Sequence, residues 1–172
     1  MLDDPFKYGL LAALAIALII AAFTDLKSRK IANWLNASIA LSAPVFWWAS
    51  GMTLLPQGLT FFEPTSIVMQ LGLALAVFLL LTILFAMRAM GGGDVKLLTA
   101  LALWIAPVAY LQLLIMMALV GGVLTLGFGF WHIMRRQRDK LTIPYGVAIS
   151  LAGLWTIGTF YLPGSVLAGA AG

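Results

Sequence analysis

Asp94 stands in the stretch Met90-Gly91-Gly92-Gly93-Asp94-Val95-Lys96-Leu97-Leu98, where three glycines and a carboxylate interrupt an apolar sequence just after Arg88. A carboxylate beside a hydrocarbon core is costly, so such a side chain faces protein or water, has a partner and marks a working site. The best partner is Asp25, which closes the first apolar run, Tyr8 to Phe23, and precedes Lys27, Arg29 and Lys30. Two carboxylates sharing one proton across a water molecule form the arrangement with which aspartic proteases hydrolyse peptide bonds. Glycines suit that chemistry, because residues without a Cβ tolerate positive φ and let the backbone approach an extended substrate.

Each feature also has a purely structural reading. The glycines could cap a helix, with Asp94 as its N-cap. Asp25 could be an interfacial aspartate paired with Lys27 or Arg29. Catalysis is favoured only if the two acids lie at matching depth on the same side of a membrane, so the elements that carry them decide the question.

Composition sets the class: 63% of the residues are hydrophobic and only 9% charged, far outside the range of soluble domains. This is the composition of an integral membrane protein. Its 172 residues leave room for about six spans of roughly 20 residues each. No hydrophilic block is long enough for a second domain, so residues 1–172 read as a single transmembrane domain. The absence of cysteine excludes disulfides, thiolate catalysis and cysteine-ligated zinc, and a single histidine cannot build a metal site. Neither metal nor cofactor is expected. The net charge of +4 carries topological information in such a chain and does not point to nucleic acid.

The first seven residues hold Asp3 and Asp4 against Lys7, and the basic cluster follows the apolar run. That order is the reverse of a secretory signal and predicts a retained first helix with its N-terminus outside. A second span starts with Asn33 as N-cap and ends near Ala49, with Trp47 and Trp48 in an outer aromatic belt. The loop Gly51 to Ser66 contains Glu63 but neither lysine nor arginine, and is expected outside. The third span, Ile67 to Met87, returns the chain to the cytosol at Arg88.

Leu97 to Ile133 is apolar throughout, too long for one span. It divides into a short fourth span and a fifth ending near Trp131, joined by a tight external turn near Pro107 to Gln112. Gly121, Gly122, Gly127 and Gly129 offer the fifth helix small surfaces for close packing. Arg135, Arg136, Arg138 and Lys140 mark a cytosolic loop, and a sixth span runs from Ile143 to Leu162. The expected fold is therefore all-α: a polytopic membrane protein with six transmembrane helices and both termini extracytoplasmic. Of the ten lysines and arginines, only Lys7 falls outside.

With this topology Asp3, Asp4 and Glu63 are external and Asp139 sits among arginines. Asp25 and Asp94 remain, both at the cytosolic membrane edge. If Asp94 occupies the first turn of the fourth helix, the macrodipole favours its anion by roughly 0.3–1 kcal/mol, whereas Asp25 at the end of the first helix meets the opposite pole. Asp94 would then be the base and Asp25 the acid.

Gly91-Gly92-Gly93-Asp94-Val95-Lys96 resembles the GxGD motif of the type IV prepilin peptidases with its usual Val-Lys continuation. Asp25, the basic residues Lys27, Arg29 and Lys30, and then Ile31-Ala32-Asn33 resemble the family's first motif, with alanine in place of a proline. Pro144-Tyr145-Gly146-Val147-Ala148-Ile149 is similar to the Pro-x-Gly-x-Ala-Ile start of the last helix. Proline at the first position of a helix also needs no functional explanation. The resemblance is closest to the short single-domain members that process tight-adherence (Flp) prepilins.

That resemblance implies catalytic Asp25 and Asp94, supported by Gly91, Gly93, Lys96, Pro144, Tyr145 and Gly146. Lys96 either positions a substrate carboxylate or anchors its helix at the interface. It implies an endopeptidase in the bacterial inner membrane, its active site facing the cytosol. The substrates would be prepilins or pseudopilins with a basic leader and an apolar helix, cut after a glycine, with membrane lipids as the other partner. The paired cysteines of the larger, N-methylating members are missing, so methyltransferase activity is not expected. A competing reading is a small proton- or cation-coupled transporter or channel subunit using the same aspartates. Coupling sites, however, sit near the bilayer midplane in related repeats, and these acids lie at one edge with no internal repeat. An assembly scaffold without catalysis is the third possibility.

Overall fold

A computed structural model describes residues 5–55, 66–134 and 145–162. They form six α-helices: α1 (Pro5–Ser28), α2 (Asn33–Ala49), α3 (Ile67–Ala86), α4 (Gly92–Trp104), α5 (Pro107–Met134) and α6 (Tyr145–Thr156). The last continues as a π-helical turn over Ile157–Tyr161.

Three of these helices, Pro5–Ser28, Ile67–Ala86 and the Pro107–Trp131 part of α5, are long and apolar enough to cross a membrane. The others are shorter. At 1.5 Å per residue, the 13 residues of α4 reach only about 20 Å, less than the roughly 30 Å hydrocarbon core. The break before α5 is also tighter than the turn expected near Pro107 to Gln112, because α4 stops at Trp104 and Pro107 already opens α5. Proline at that position gives up only an amide that a helix start would leave unpaired.

Buried and lipid-facing positions are equally apolar here, so moving a side chain from lipid to a helix interface brings little hydrophobic gain. Close packing and interhelical hydrogen bonds must hold the bundle. They converge on α4, whose Leu97, Leu98, Leu101 and Ala102 are fully buried. From α2, Trp47 Nε1 donates to the Leu103 carbonyl at 2.7 Å, and Trp104 Nε1 returns a 2.7 Å bond to Ile39 of α2. Gln70 Nε2 of α3 donates to Ala102 and Ile105 carbonyls at 2.8 and 2.7 Å. Tyr110 of α5 donates to Leu98. Tyr161 donates to Trp104 and accepts the amide of Ala106. Bonds of this kind contribute about 1–2 kcal/mol at most in a membrane, so their number matters more than any one of them.

Several local expectations change. Trp47 is a core residue rather than part of a belt, since its indole N–H has a partner on α4, whereas Trp48 is 78% exposed. Asn33 is not the cap of α2; Ala32 is, without a side-chain bond. Of the four glycines on α5, only Gly121 packs closely, against Tyr145, and a Cβ at Gly122, Gly127 or Gly129 would meet nothing within 4 Å.

Candidate active site

The C-terminal ends of α1 and α3 meet the N-terminal ends of α2, α4 and α6 around an open cavity of about 630 Å³. Asp25 and Asp94 both line it, with Arg29, Arg88, Asn33, the three glycines and Tyr145. The two acids are close enough for their charges to interact.

Asp94 is the third residue of α4, with Gly91 as N-cap. Its amide donates to the Gly91 carbonyl at 3.1 Å, and its carboxylate accepts from the Gly91 N–H. This is the return half of a capping box, which satisfies amides that a helix start leaves unpaired. A Cβ on residue 91 would lie 2.9 Å from Asp94 Oδ2. None of the three glycines adopts positive φ. Their role is therefore close approach: Gly91 admits the carboxylate, and Gly93 lies against Ile31, whose Cβ would be 3.5 Å from a side chain there.

Asp25 is 6% exposed, three residues before the end of α1. The N–H groups of Gly146 and Val147, in the first turn of α6, face its carboxylate, and Arg29 adds a favourable charge. Its Oδ2 is buried with no hydrogen-bond partner among the described residues. A Cβ at Gly146 would come within 2.8 Å of that oxygen. The expected contrast between the two acids therefore fails. Asp25 ends one helix but faces the positive pole of another, so both carboxylates sit at helix N-termini and the macrodipole argument no longer assigns the proton.

The supporting residues divide. Gly91, Gly93, Tyr145 and Gly146 surround or adjoin the acids, and Pro144 lies outside the described residues. Lys96 Nζ donates to Asn33 Oδ1 at 2.8 Å and so ties α4 to α2. Sequence reasoning missed Arg88 as a cavity residue. Both Arg29 (φ 53°) and Arg88 (φ 60°) are left-handed, closing α1 and α3 where glycine is the usual choice. After α3, Arg88 N bonds Phe85 O and Ala89 N bonds Leu84 O, the two bonds of a Schellman closure.

A buried carboxylate oxygen without a partner, beside a second carboxylate in a water-accessible cavity, is suited to hold a proton and a nucleophilic water. Among the described residues no cluster of acidic or histidine side chains could hold a metal ion. No curated protein and no solved structure matches this chain. The profile of the type IV leader peptidase family matches residues 12–126, which include both aspartates. That is more than half of the 172 residues, and the chain belongs to the type IV leader peptidase family.

Proposed function

We propose that this peptidase is an aspartic endopeptidase in which Asp25 and Asp94 form the catalytic pair. It removes leader peptides from Flp-like prepilins or pseudopilins at the cytosolic face of the bacterial inner membrane. The observation that supports this reading is the convergence of the two acids on one cavity at the N-terminal ends of α4 and α6. In this account residues 1–172 form one transmembrane domain of six spans with both termini outside, and the charge distribution supports that orientation. The sequence lacks the paired cysteines associated with N-methylation in larger members, which supports cleavage without N-methyltransferase activity.

The pair shares one proton, since adjacent carboxylates in a low-dielectric site do not both ionise cheaply. The ionised acid takes a proton from water as its oxygen attacks the scissile carbonyl. The protonated acid donates to the carbonyl oxygen, giving a neutral tetrahedral diol. On collapse the C–N bond breaks, a proton passes to the leaving amine, and the pair again holds one proton. Gly146 and Gly91 serve by what they lack, leaving room for the two carboxylates.

The reading is tested by incubating the purified chain in detergent with a synthetic prepilin, a basic leader joined through glycine to an apolar helix, and weighing the products. Cleavage after the glycine is expected. An intact substrate, with the chain folded, would refute the assignment.

A further inference from the structure

A second cavity, an open groove of about 300 Å³, adjoins the aspartate cleft and shares Asn33 with it. Two helical stripes form it, each spaced i, i+3, i+4, i+7: Asn33, Asn36, Ala37 and Ala40 on α2, and Lys96, Thr99, Ala100 and Leu103 on α4. The polar end lies next to the acids, where the bond between Lys96 and Asn33 fixes the separation of the helices. Farther along, the groove becomes apolar, and Phe78 of α3 lines its opposite wall. Thr99 spends its hydroxyl on the Val95 carbonyl of its own helix. Ala37, Ala40 and Ala100 let another backbone come close, as small residues do between membrane helices.

One group in this groove is unsatisfied. Asn36 is 5% exposed; its Nδ2 faces the Gly93 carbonyl at a long 3.5 Å, and its Oδ1 has no hydrogen-bond partner among the described residues. A buried amide oxygen in this position requires a donor. A lipid tail brings none. The first turn of a helix brings backbone N–H groups that its own helix cannot pair.

We infer that the groove between α2 and α4 receives the apolar helix of the substrate, with the N-terminal turn of that helix at Asn36 and its body against Ala37, Ala40 and Ala100. The inference rests on the peptidase reading. It sets the chain direction: the segment after the scissile bond enters the groove, and the leader leaves from the aspartate cleft. Asn36 is then a positioning residue, which caps the substrate helix and holds its register relative to the acids.

The test places a photoreactive benzoylphenylalanine at Ala37, in the groove, or at Leu119, 60% exposed on α5, in the Asp94→Asn background with the synthetic prepilin. Position 37 should crosslink to the first turns after the substrate glycine, and position 119 should not. Crosslinks from 37 only to lipid or to a second copy of the chain, or equal crosslinking from both positions, would overturn the groove. Cleavage by the unmodified chain is measured in parallel. Cleavage without a crosslink at 37 discards the groove and keeps the peptidase, and a crosslink without cleavage does the reverse. Asn36→Leu adds a kinetic arm: kcat/KM for the full substrate should fall roughly tenfold through KM, with little change in kcat. A loss in kcat at unchanged KM would show that Asn36 only supports the fold.

Discussion

Gly146 and Asp25 are in contact only because residue 146 has no side chain: a Cβ there would lie 2.8 Å from Asp25 Oδ2 and 2.9 Å from its Cγ. Gly146 is buried in the first turn of α6, and Ile31 Cδ1 closes the remaining space at 2.9 Å. Ile31 packs in turn beside Gly93, so the space around the carboxylate is bounded on both sides.

Gly146→Ala should therefore displace the acid while leaving the bundle assembled. A misplacement of this size at a reacting group lowers activity by roughly a hundredfold. Gly122→Ala, where a Cβ meets nothing, is the matched control and should cleave normally. Cleavage rates of the two purified variants decide the point, and a fully active Gly146→Ala would show that Asp25 does not depend on its seat against α6.

Arg88 at φ 60° closes α3 in a conformation that is strained for any residue with a Cβ. Arg88→Gly removes that strain, of order 1 kcal/mol, and should raise the thermal unfolding temperature in detergent. An unchanged or lowered temperature would mean that contacts of the arginine side chain outweigh the backbone cost.

Helix bounds were largely legible in the sequence, because α2 and α3 begin at Asn33 and Ile67 and end within a residue of the expected positions. The positions of lysines and arginines led to the expectation that Asp25 and Asp94 lie together, and both acids do line one cavity. What could not be read were side-by-side relations between distant segments. In a chain apolar on every face, hydrophobic periodicity no longer separates buried from lipid-facing positions. Trp47 and Trp48 were indistinguishable for that reason, until the Leu103 carbonyl gave Trp47 a partner. The donation from α6 to Asp25 was hidden likewise, since it joins the end of the first helix to the start of the last. The stripe at Asn33, Asn36, Ala37 and Ala40 drew no notice in the sequence, since only its neighbour on α4 makes it a groove.

The absence of native cysteine allows the orientation to be measured with single introduced thiols. Ser28, exposed at the aspartate end, and Leu55, 65% exposed beyond the opposite end of α2, are suitable positions. In intact cells a membrane-impermeant reagent should label Leu55→Cys and reach Ser28→Cys only after lysis. The reverse pattern would put the acids on the external face and contradict cleavage of a cytosolic leader.

The central claim is that Asp25 and Asp94 are the catalytic pair, and the most direct measurement of it is prepilin cleavage by Asp25→Asn and Asp94→Asn, each purified as a folded chain. Asparagine keeps size and most polarity but removes the acid. The account predicts that the unmodified chain cuts after the glycine and that each single variant yields no product. Substantial cleavage by either variant would contradict the account.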